Sequence, residues 1–272
     1  MTVHPHRLFT VASKLVKATS VRLAVVAALM SSTPRVAAAF GDVGAFDPRV
    51  LLTGSQTDPA RPTAPARWAL ELLERTAAPA RLHPGSVRAD DPAIVDEPFL
   101  YWSGDAEIPP LTAAEVAGLR RFFALGGILL ADDAAPGAQG DVGPFGSSAR
   151  RELARVLPDA QPIAIGPDHV VFRTFYLLDR AEGRIEGHAS LDAIVRAGRL
   201  QVIFSEHDLG GALARSLAGS WQEPVIPGGE RQREHAIRLA VNIAMYSLCS
   251  NYKDDQVHAP FLMQRRAMSV SH

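Results

Sequence analysis

Apolar and polar positions alternate along the chain in blocks that predict strands followed by helices. Residues 49–55 (RVLLTGS) predict a first strand, and residues 66–76, with apolar positions four apart, predict a helix after it. Residues 99–103 form a dense apolar and aromatic run that ends at Gly104, as in a strand buried on both faces. A strand followed by a helix and a second strand is the opening of a βαβ unit.

The clearest helix signal lies between residues 112 and 126. Thr112 and Glu115 form a T-x-x-E capping box, apolar residues then recur at helical spacing, and Gly126 is placed to end the helix. A strand is predicted over residues 127–131, and Asp132 and Asp133 follow it directly. The next segment, residues 134–146, is rich in glycine, alanine and proline and is long for a connection, so it is a candidate site loop.

The second half of the chain continues the alternation. Residues 147–159 predict a helix, 166–176 a loop, 200–205 a strand and 232–248 an apolar helix that neighbours bury. Either a hairpin partner turning at Ala197 and Gly198 or a short helix precedes the strand at 200–205. We therefore predict an α/β domain over residues 45–250, a three-layer, mainly parallel, flavodoxin-like sheet with helices on both faces, and a loosely held C-terminal extension over residues 251–272.

The N-terminal segment predicts export. Residues 1–39 hold five basic residues and no acidic one, then the apolar run 23–30, then three alanines at 37–39. That order is typical of a secretory signal with cleavage after Ala39, and it places the protein in the periplasm or cell envelope. The alternatives are a retained membrane anchor or a disordered leader, but the apolar run is shorter than the roughly 20 residues that span a bilayer. We expect no membrane span beyond this leader.

Charge and cysteine content narrow the functional classes. Without the leader the chain has 28 − 5 = 23 basic and 29 acidic residues, a formal charge of −6, which disfavours nucleic acid as a partner. The one cysteine, Cys249, excludes an intramolecular disulfide and is expected to be a buried small side chain. Neither a G-x-S-x-G nucleophile motif nor a glycine-rich phosphate loop follows any predicted strand, so we expect no cofactor.

Polar residues follow three predicted strands. Because parallel strands end on the same edge of a sheet, these residues are expected to meet there and form the rim of a ligand site. The rim candidates are Ser103, Gly104, Ser205 and His207. The candidates for acid and base chemistry are Asp132, Asp133, His169 and Asp208.

Structural explanations compete with each of these candidates. The three aspartates, Asp132, Asp133 and Asp208, are weak candidates for a hard cation, because their spacing matches no defined metal motif. The alternative for Asp132 and Asp133 is turn chemistry, with one of the two side chains bonding backbone amides of the next segment. His169 could be a loop histidine held by backbone contacts, and residues 206–208 could be a solvated strand end.

Several segments together resemble the bacterial family called domain of unknown function 4159. They are YWSG, LTAAEVAGLRRFFALGGILLADD, RRELARVLPD, DHVVFRTFY, GRLQVIFSEHDLG and LAVNIAMYSLCSNYKDDQVH, in the order of the family, from about Ala45 to His258. The resemblance implies a flavodoxin-like fold similar to class I glutamine amidotransferase-like domains. It implies no activity.

The resemblance also maps family positions onto this chain. The strand-end aspartates of the family fall on Asp132 and Asp133, its D-H element on Asp168 and His169, and its D-L-G element on residues 208–210. This chain departs from the family pattern at Asp105, Val170 and His207, and it has no counterpart of the amidotransferase nucleophile. Glutamine hydrolysis is therefore not inherited from the fold.

Two functional hypotheses follow. The first is an exported, non-catalytic binding or interaction domain of the cell envelope, with an envelope protein as partner. The second is a carboxylate-dependent hydrolase, acting on carbohydrate for example, with Asp132 or Asp133 as base and His169 or Asp208 assisting. The hydrolase requires these side chains to meet within about 8 Å in a pocket, with at least one carboxylate desolvated.

Overall fold

A computed structural model describes residues 44–269, with the side chains of residue 139 and residues 251–269 left undescribed. The predicted leader, its apolar run and the cleavage position after Ala39 lie outside the described residues. The strands are β1 (Arg49–Leu52), β2 (Ser86–Arg88), β3 (Phe99–Gly104), β4 (Ile128–Asp133), β5 (Ile163–Ile165), β6 (Leu191–Arg196) and β7 (Arg199–Ser205). The helices are α1 (Ala64–Thr76), α2 (Ala113–Ala124), α3 (Pro144–Val156), α4 (Leu209–Leu213) and α5 (Gly229–Ser269), with short 3₁₀ turns at Pro92–Val95, Ala138–Gly140 and Val170–Arg173.

All seven strands form one sheet in the order β2-β1-β3-β4-β7-β6-β5. The first five in that order are mutually parallel, whereas β6 is antiparallel to both β7 and β5. The prediction of an α/β fold with a mainly parallel sheet is confirmed. The antiparallel part comes from the β6–β7 hairpin, which turns at Ala197 and Gly198, both with positive φ. The hairpin, not the short helix, is therefore the correct alternative before the last strand.

Helices pack on both faces of the sheet, because successive strand residues point to opposite sides. Alternate residues such as Tyr101 and Leu130 join a core cluster with buried residues of α1, α4 and α5. Their neighbours Trp102 and Leu129 join a second cluster with buried residues of α2 and α3. The parallel strands are thus covered on both sides, as their nearly continuous apolar sequences require.

The predicted capping box begins α2. The Thr112 hydroxyl accepts a hydrogen bond from the Glu115 backbone nitrogen at 3.2 Å, and the Glu115 carboxylate accepts one from the Thr112 backbone nitrogen at 2.8 Å. The other Glu115 oxygen accepts a hydrogen bond from the Gly54 backbone nitrogen at 2.7 Å. The cap therefore also holds the loop that follows β1, at the carboxyl edge of the sheet.

Two expectations for the last helix are wrong. Cys249 is exposed, because it lies on the face of α5 that turns away from the core clusters. The helix also does not end near Leu248 but continues to Ser269, whereas the loose attachment of residues 251–272 stays a prediction. Within the described part of the chain, no helix combines the length and the apolar character that crossing a bilayer needs.

Candidate functional site

The strand-end residues meet at the carboxyl edge of the sheet. In the register of β3 and β4, Ser103 lies opposite Asp132 and Gly104 opposite Asp133. In the register of β4 and β7, Asp132 lies opposite Ser205. The structure therefore brings these polar residues together, as parallel strand pairing predicts.

Asp132 is fully buried, and both of its carboxylate oxygens accept two hydrogen bonds. Oδ1 accepts from the Ser205 hydroxyl at 2.8 Å and from the Leu209 backbone nitrogen at 2.9 Å. Oδ2 accepts from the Gly210 backbone nitrogen at 2.8 Å and from the Tyr101 hydroxyl at 3.1 Å. Asp132 thus fixes the first turn of α4 to the end of β4, and its four acceptor positions are occupied.

Asp133 fixes the start of α3 to the end of β4. Its Oδ2 accepts hydrogen bonds from the backbone nitrogens of Gly143 at 2.7 Å and Gly146 at 3.2 Å, at the start of α3. Its Oδ1 accepts one from the Ala135 backbone nitrogen at 3.1 Å. Asp133 therefore bonds backbone amides of the segment that follows it, which is the structural alternative that the sequence left open, whereas the backbone donors to Asp132 come from the segment after β7.

Asp208 completes the network from the end of β7. Its carboxylate pairs with Arg61 at 2.7 Å and with Arg184, and it accepts a hydrogen bond from the Gly211 backbone nitrogen at 2.9 Å. Arg61 also pairs with Glu223 at 2.9 Å and donates to the Ala134 carbonyl at 3.2 Å. One guanidinium thus ties together the loops that follow β1, β4 and α4.

Burial sets the electrostatics of this network. Desolvation, with a smaller contribution from the nearby Asp208 carboxylate, raises the pKa of Asp132 to about 7, although the hydrogen bonds that it accepts oppose the shift. Desolvation also raises the pKa of Asp133 above its ordinary value. A carboxyl group with a pKa near neutrality could serve as a general base, but Asp132 has no exposed surface from which to reach a substrate.

The expected ligand rim is not exposed. Ser103, Ser205 and His207 are 1%, 3% and 2% exposed, so the loops cover them. Gly104 is buried as well, and a β-carbon added there would lie 2.3 Å from the Phe145 ring. Glycine is required at this position because α3 packs closely against β3, and no ligand contact is needed to explain it.

The alternative of a solvated strand end at residues 206–208 is wrong, since all three side chains are buried. Glu206 pairs with Arg150, and desolvation raises its pKa. Desolvation lowers the pKa of His207 to about 4, because burial disfavours the imidazolium form.

His169 does not join the aspartates. Its Nδ1 accepts a hydrogen bond from the Val171 backbone nitrogen at 3.3 Å, and its ring lies 6.3 Å from that of Tyr246. The Tyr246 hydroxyl accepts a hydrogen bond from the Leu200 backbone nitrogen, at the start of β7, whereas Ser205 at the other end of β7 bonds Asp132. His169 therefore lies near the start of β7, whereas the aspartates lie at the other end of that strand, roughly 16 Å further along at 3.3 Å per residue. The structure shows no hydrogen bond between His169 and the three aspartates.

The metal alternative for Asp132, Asp133 and Asp208 also gains no support. The side chains of the three carboxylates point at backbone amides, hydroxyls and guanidinium groups, so their oxygens already have partners. Among the side chains that the structure describes within residues 44–250, no group of three or more histidine, cysteine, aspartate or glutamate residues is arranged to hold a metal ion.

Sequence reasoning missed the cationic and phenolic members of the network, which are Arg61, Arg184 and Tyr101. Arg61 lies in the proline-rich loop after β1, where no local pattern distinguishes it from neighbouring surface arginines. The position of Tyr101 could have been used, because it lies two residues before Ser103 on the same strand and therefore faces the same side of the sheet.

The candidate site loop lines a cavity. A cleft of about 680 Å³ lies at the carboxyl edge and is bounded by residues 136–138, 185–188 and 226–227. Asp133 anchors the first of these segments through Ala135 and Gly143, so the predicted loop does approach an open site. None of the three aspartates lines this cavity.

These features define an α/β domain whose mainly parallel sheet carries a buried carboxylate and arginine network at its carboxyl edge. The family model described as "Domain of unknown function (DUF4159)" matches residues 48–248, and the chain belongs to that family. No curated protein matches the chain.

Proposed function

We propose that this protein is an exported, non-catalytic binding domain of the cell envelope that engages a protein partner at the carboxyl edge of its sheet. The observation that carries the proposal is the saturation of the strand-end carboxylates. Asp132 accepts four hydrogen bonds, Asp133 accepts three, and Asp208 is paired with two arginines. Such hydrogen bonds hold loops in place, and they compete with any transfer of a proton between these carboxylates and a substrate.

We also propose that the fold is a three-layer, flavodoxin-like arrangement similar to class I glutamine amidotransferase-like domains. The order of the parallel strands supports this, because β2-β1-β3-β4-β7 corresponds to the flavodoxin-like order 2-1-3-4-5 with β7 in the fifth position. The β5 and β6 strands are then an antiparallel addition at one edge.

The strand order suggests where a partner binds. The strand order reverses between β1 and β3, and in doubly wound sheets ligands bind in the crevice at that reversal. Asp58 and Asp105 are exposed on the loops that follow these two strands, and the Gln56 side-chain amide links the loops by donating to the Ser103 carbonyl at 2.9 Å. The formal charge of −6 without the leader favours a partner with a basic surface.

The hydrolase hypothesis receives less support from the same geometry. Asp132 and Asp208 are close and desolvated, as that hypothesis requires, but His169 lies near the start of β7 and none of the three aspartates lines the 680 Å³ cleft. A base in this network would first have to lose several of its hydrogen bonds.

Charge reversal at the crevice tests the proposal. The full chain, tagged at its C-terminus and expressed in its natural host, is cross-linked with a membrane-impermeant reagent, and captured proteins are quantified by mass spectrometry. Asp105→Arg should reduce capture of the main partner by about tenfold or more, because it brings a positive charge to a basic partner.

Asp159→Arg is the matched control, because it makes the same charge change at an exposed residue. Asp159 lies at the opposite end of the domain, beyond α3. The Asp159→Arg variant should capture as much partner as the unmodified chain. Equal capture by both variants would show that the crevice is not the interaction surface, and the absence of any specific partner would contradict the proposal as a whole.

A further inference from the structure

The cleft bounded by residues 136–138, 185–188 and 226–227 lies on the same edge as the crevice between β1 and β3, but it is formed by different loops. Its volume of about 680 Å³ falls within the range of sites that enclose small molecules, roughly 300–1,000 Å³. A second cavity, of about 340 Å³, lies between side chains of α1 and α5. It is lined largely by arginine and glutamate side chains that pair with one another. The larger cleft is therefore the better candidate for a ligand.

The walls of the cleft are mainly apolar and carry no uncompensated charge. Pro136, Ile185, Ile226 and Pro227 supply rings and branched aliphatic side chains, and Ile226 is 51% exposed. The acidic side chain in the lining, Glu186, lies 3.3 Å from the Arg180 guanidinium. A charged ligand would find no opposite charge that is not already paired, whereas an apolar surface would displace water from these walls.

The cleft is preformed by backbone contacts. Gly140 and Gly187 meet so closely that a β-carbon on Gly140 would lie 2.6 Å from the Gly187 Cα. The Ile185 backbone nitrogen donates to the His207 carbonyl at 3.0 Å, and the Glu186 backbone nitrogen donates to the Ile226 carbonyl at 3.2 Å. Loops fixed in this way lose little conformational entropy when a ligand binds.

His188 supplies a polar group at the cleft. Its imidazole is exposed and forms no hydrogen bond or ion pair with the described residues. An imidazole can donate and accept, so it can fix the orientation of a hydroxyl or carbonyl group on an otherwise apolar molecule.

We propose that this cleft binds a neutral small molecule with an apolar body and one hydroxyl or carbonyl group, which faces His188. The site is additional to the partner crevice of the proposed function and uses none of the residues that test it. The small molecule and the partner therefore bind at separate parts of one edge.

Titration of the purified full chain with Nile red, a neutral dye that carries a carbonyl group, tests this inference. The fluorescence should rise to saturation at one dye per chain. Ala138→Trp, which fills the cleft from an exposed position, should weaken binding by about tenfold or more, and Ile226→Ser, which removes an apolar wall, by about threefold or more. Ala114→Trp, an exposed position on α2, is the matched control and should bind within about twofold of the unmodified chain.

An anionic competitor, 8-anilinonaphthalene-1-sulfonate, should not displace the dye at comparable concentration. The inference is overturned if the unmodified chain shows no saturable binding, if Ala138→Trp and Ile226→Ser both bind as the unmodified chain does, or if the anion displaces the dye. Partner capture that depends on Asp105 would persist in each of those cases, so failure of the ligand inference is distinguishable from failure of the proposed function.

Discussion

At the scale of single residues, Asp132 shows how a strand-end carboxylate can be structural. Its two oxygens accept hydrogen bonds from two backbone amides and two hydroxyl groups. The backbone donors belong to the consecutive residues Leu209 and Gly210. A carboxylate suits this position because each oxygen can accept from one of the amides. An asparagine has a single acceptor oxygen, so its amide nitrogen would face one of the two backbone donors.

Asp132→Asn should therefore destabilise the protein, by about 2 kcal/mol at pH 5, because a buried backbone donor loses its acceptor. The difference in unfolding free energy between the unmodified protein and the Asp132→Asn variant should become smaller as the pH rises toward 7. The pKa of Asp132 is raised in the folded state, so its contribution to stability is fully present below the unfolded pKa of 3.8 and is lost as the pH rises through about 7. Urea unfolding at several pH values measures both effects.

The control for this measurement is Asp168→Asn, since Asp168 is fully exposed and should change the unfolding free energy little at any pH. His207 changes the stability of the unmodified protein and of the Asp132→Asn variant alike. Because its pKa is lowered in the folded state, it removes stability as the pH falls from about 6.5 toward 4, which is opposite to the effect of Asp132. The difference between variant and unmodified protein cancels that contribution. A difference that stays constant between pH 4 and 7 would contradict the raised pKa of Asp132.

At the scale of elements, close backbone approaches decide how helices sit on the sheet. Gly118 lies in the middle of α2, where glycine normally weakens a helix. A β-carbon at this position would lie 1.9 Å from the Ala89 carbonyl oxygen, so the helix touches the segment after β2 backbone to backbone. The same contact places the N-terminus of α2, with its capping box, over the loop that follows β1.

Gly118→Ala should consequently destabilise the protein by about 2 kcal/mol or more, against the stabilisation of about 1 kcal/mol that alanine gives in an unobstructed helix. Differential scanning calorimetry or urea unfolding gives the sign directly. Gly166→Ala is the matched control, because a β-carbon there meets nothing within 4 Å, and it should change stability by less than about 1 kcal/mol. A stabilised Gly118→Ala variant would show that α2 does not approach Ala89 so closely.

At the scale of the whole molecule, the leader and the domain make separate contributions. The basic, apolar and small-residue order of residues 1–39 predicts export, and it depends on no contact within the domain. The domain has its own two core clusters and an edge network that joins the loops after β1, β4 and α4. Removal of the leader should therefore leave the domain intact.

N-terminal sequencing of the protein isolated from the envelope fraction of its natural host should begin at Phe40. The reason is that the three alanines at 37–39 satisfy the small-residue requirement of signal cleavage. A chain that begins near Met1 and fractionates with the cytosol would contradict export. A chain that begins near Met1 and fractionates with membranes would indicate a retained anchor.

The sequence by itself determined the longer parallel strands and most of the longer helices, with their order along the chain. Periodicity located β3, β4, β7, most of α1 and α2 and the N-terminal part of α5, and the T-x-x-E motif located the start of α2 correctly. Parallel pairing then predicted that Ser103, Asp132 and Ser205 would be neighbours, and they are. These predictions succeed because they depend on local spacing and on the fixed geometry of a parallel sheet.

Only the tertiary structure decided what the strand-end residues do. Whether Asp132 faces a ligand or backbone amides depends on where the segment after β7 folds back, and the separation of His169 from the aspartates depends on the path of the chain between β5 and β6. The pairing of Arg61 with Asp208 joins residues 147 positions apart, and no local pattern encodes a contact at that distance. Burial and partner identity are properties of the packed chain, because they arise from segments that are distant in sequence and adjacent only in space.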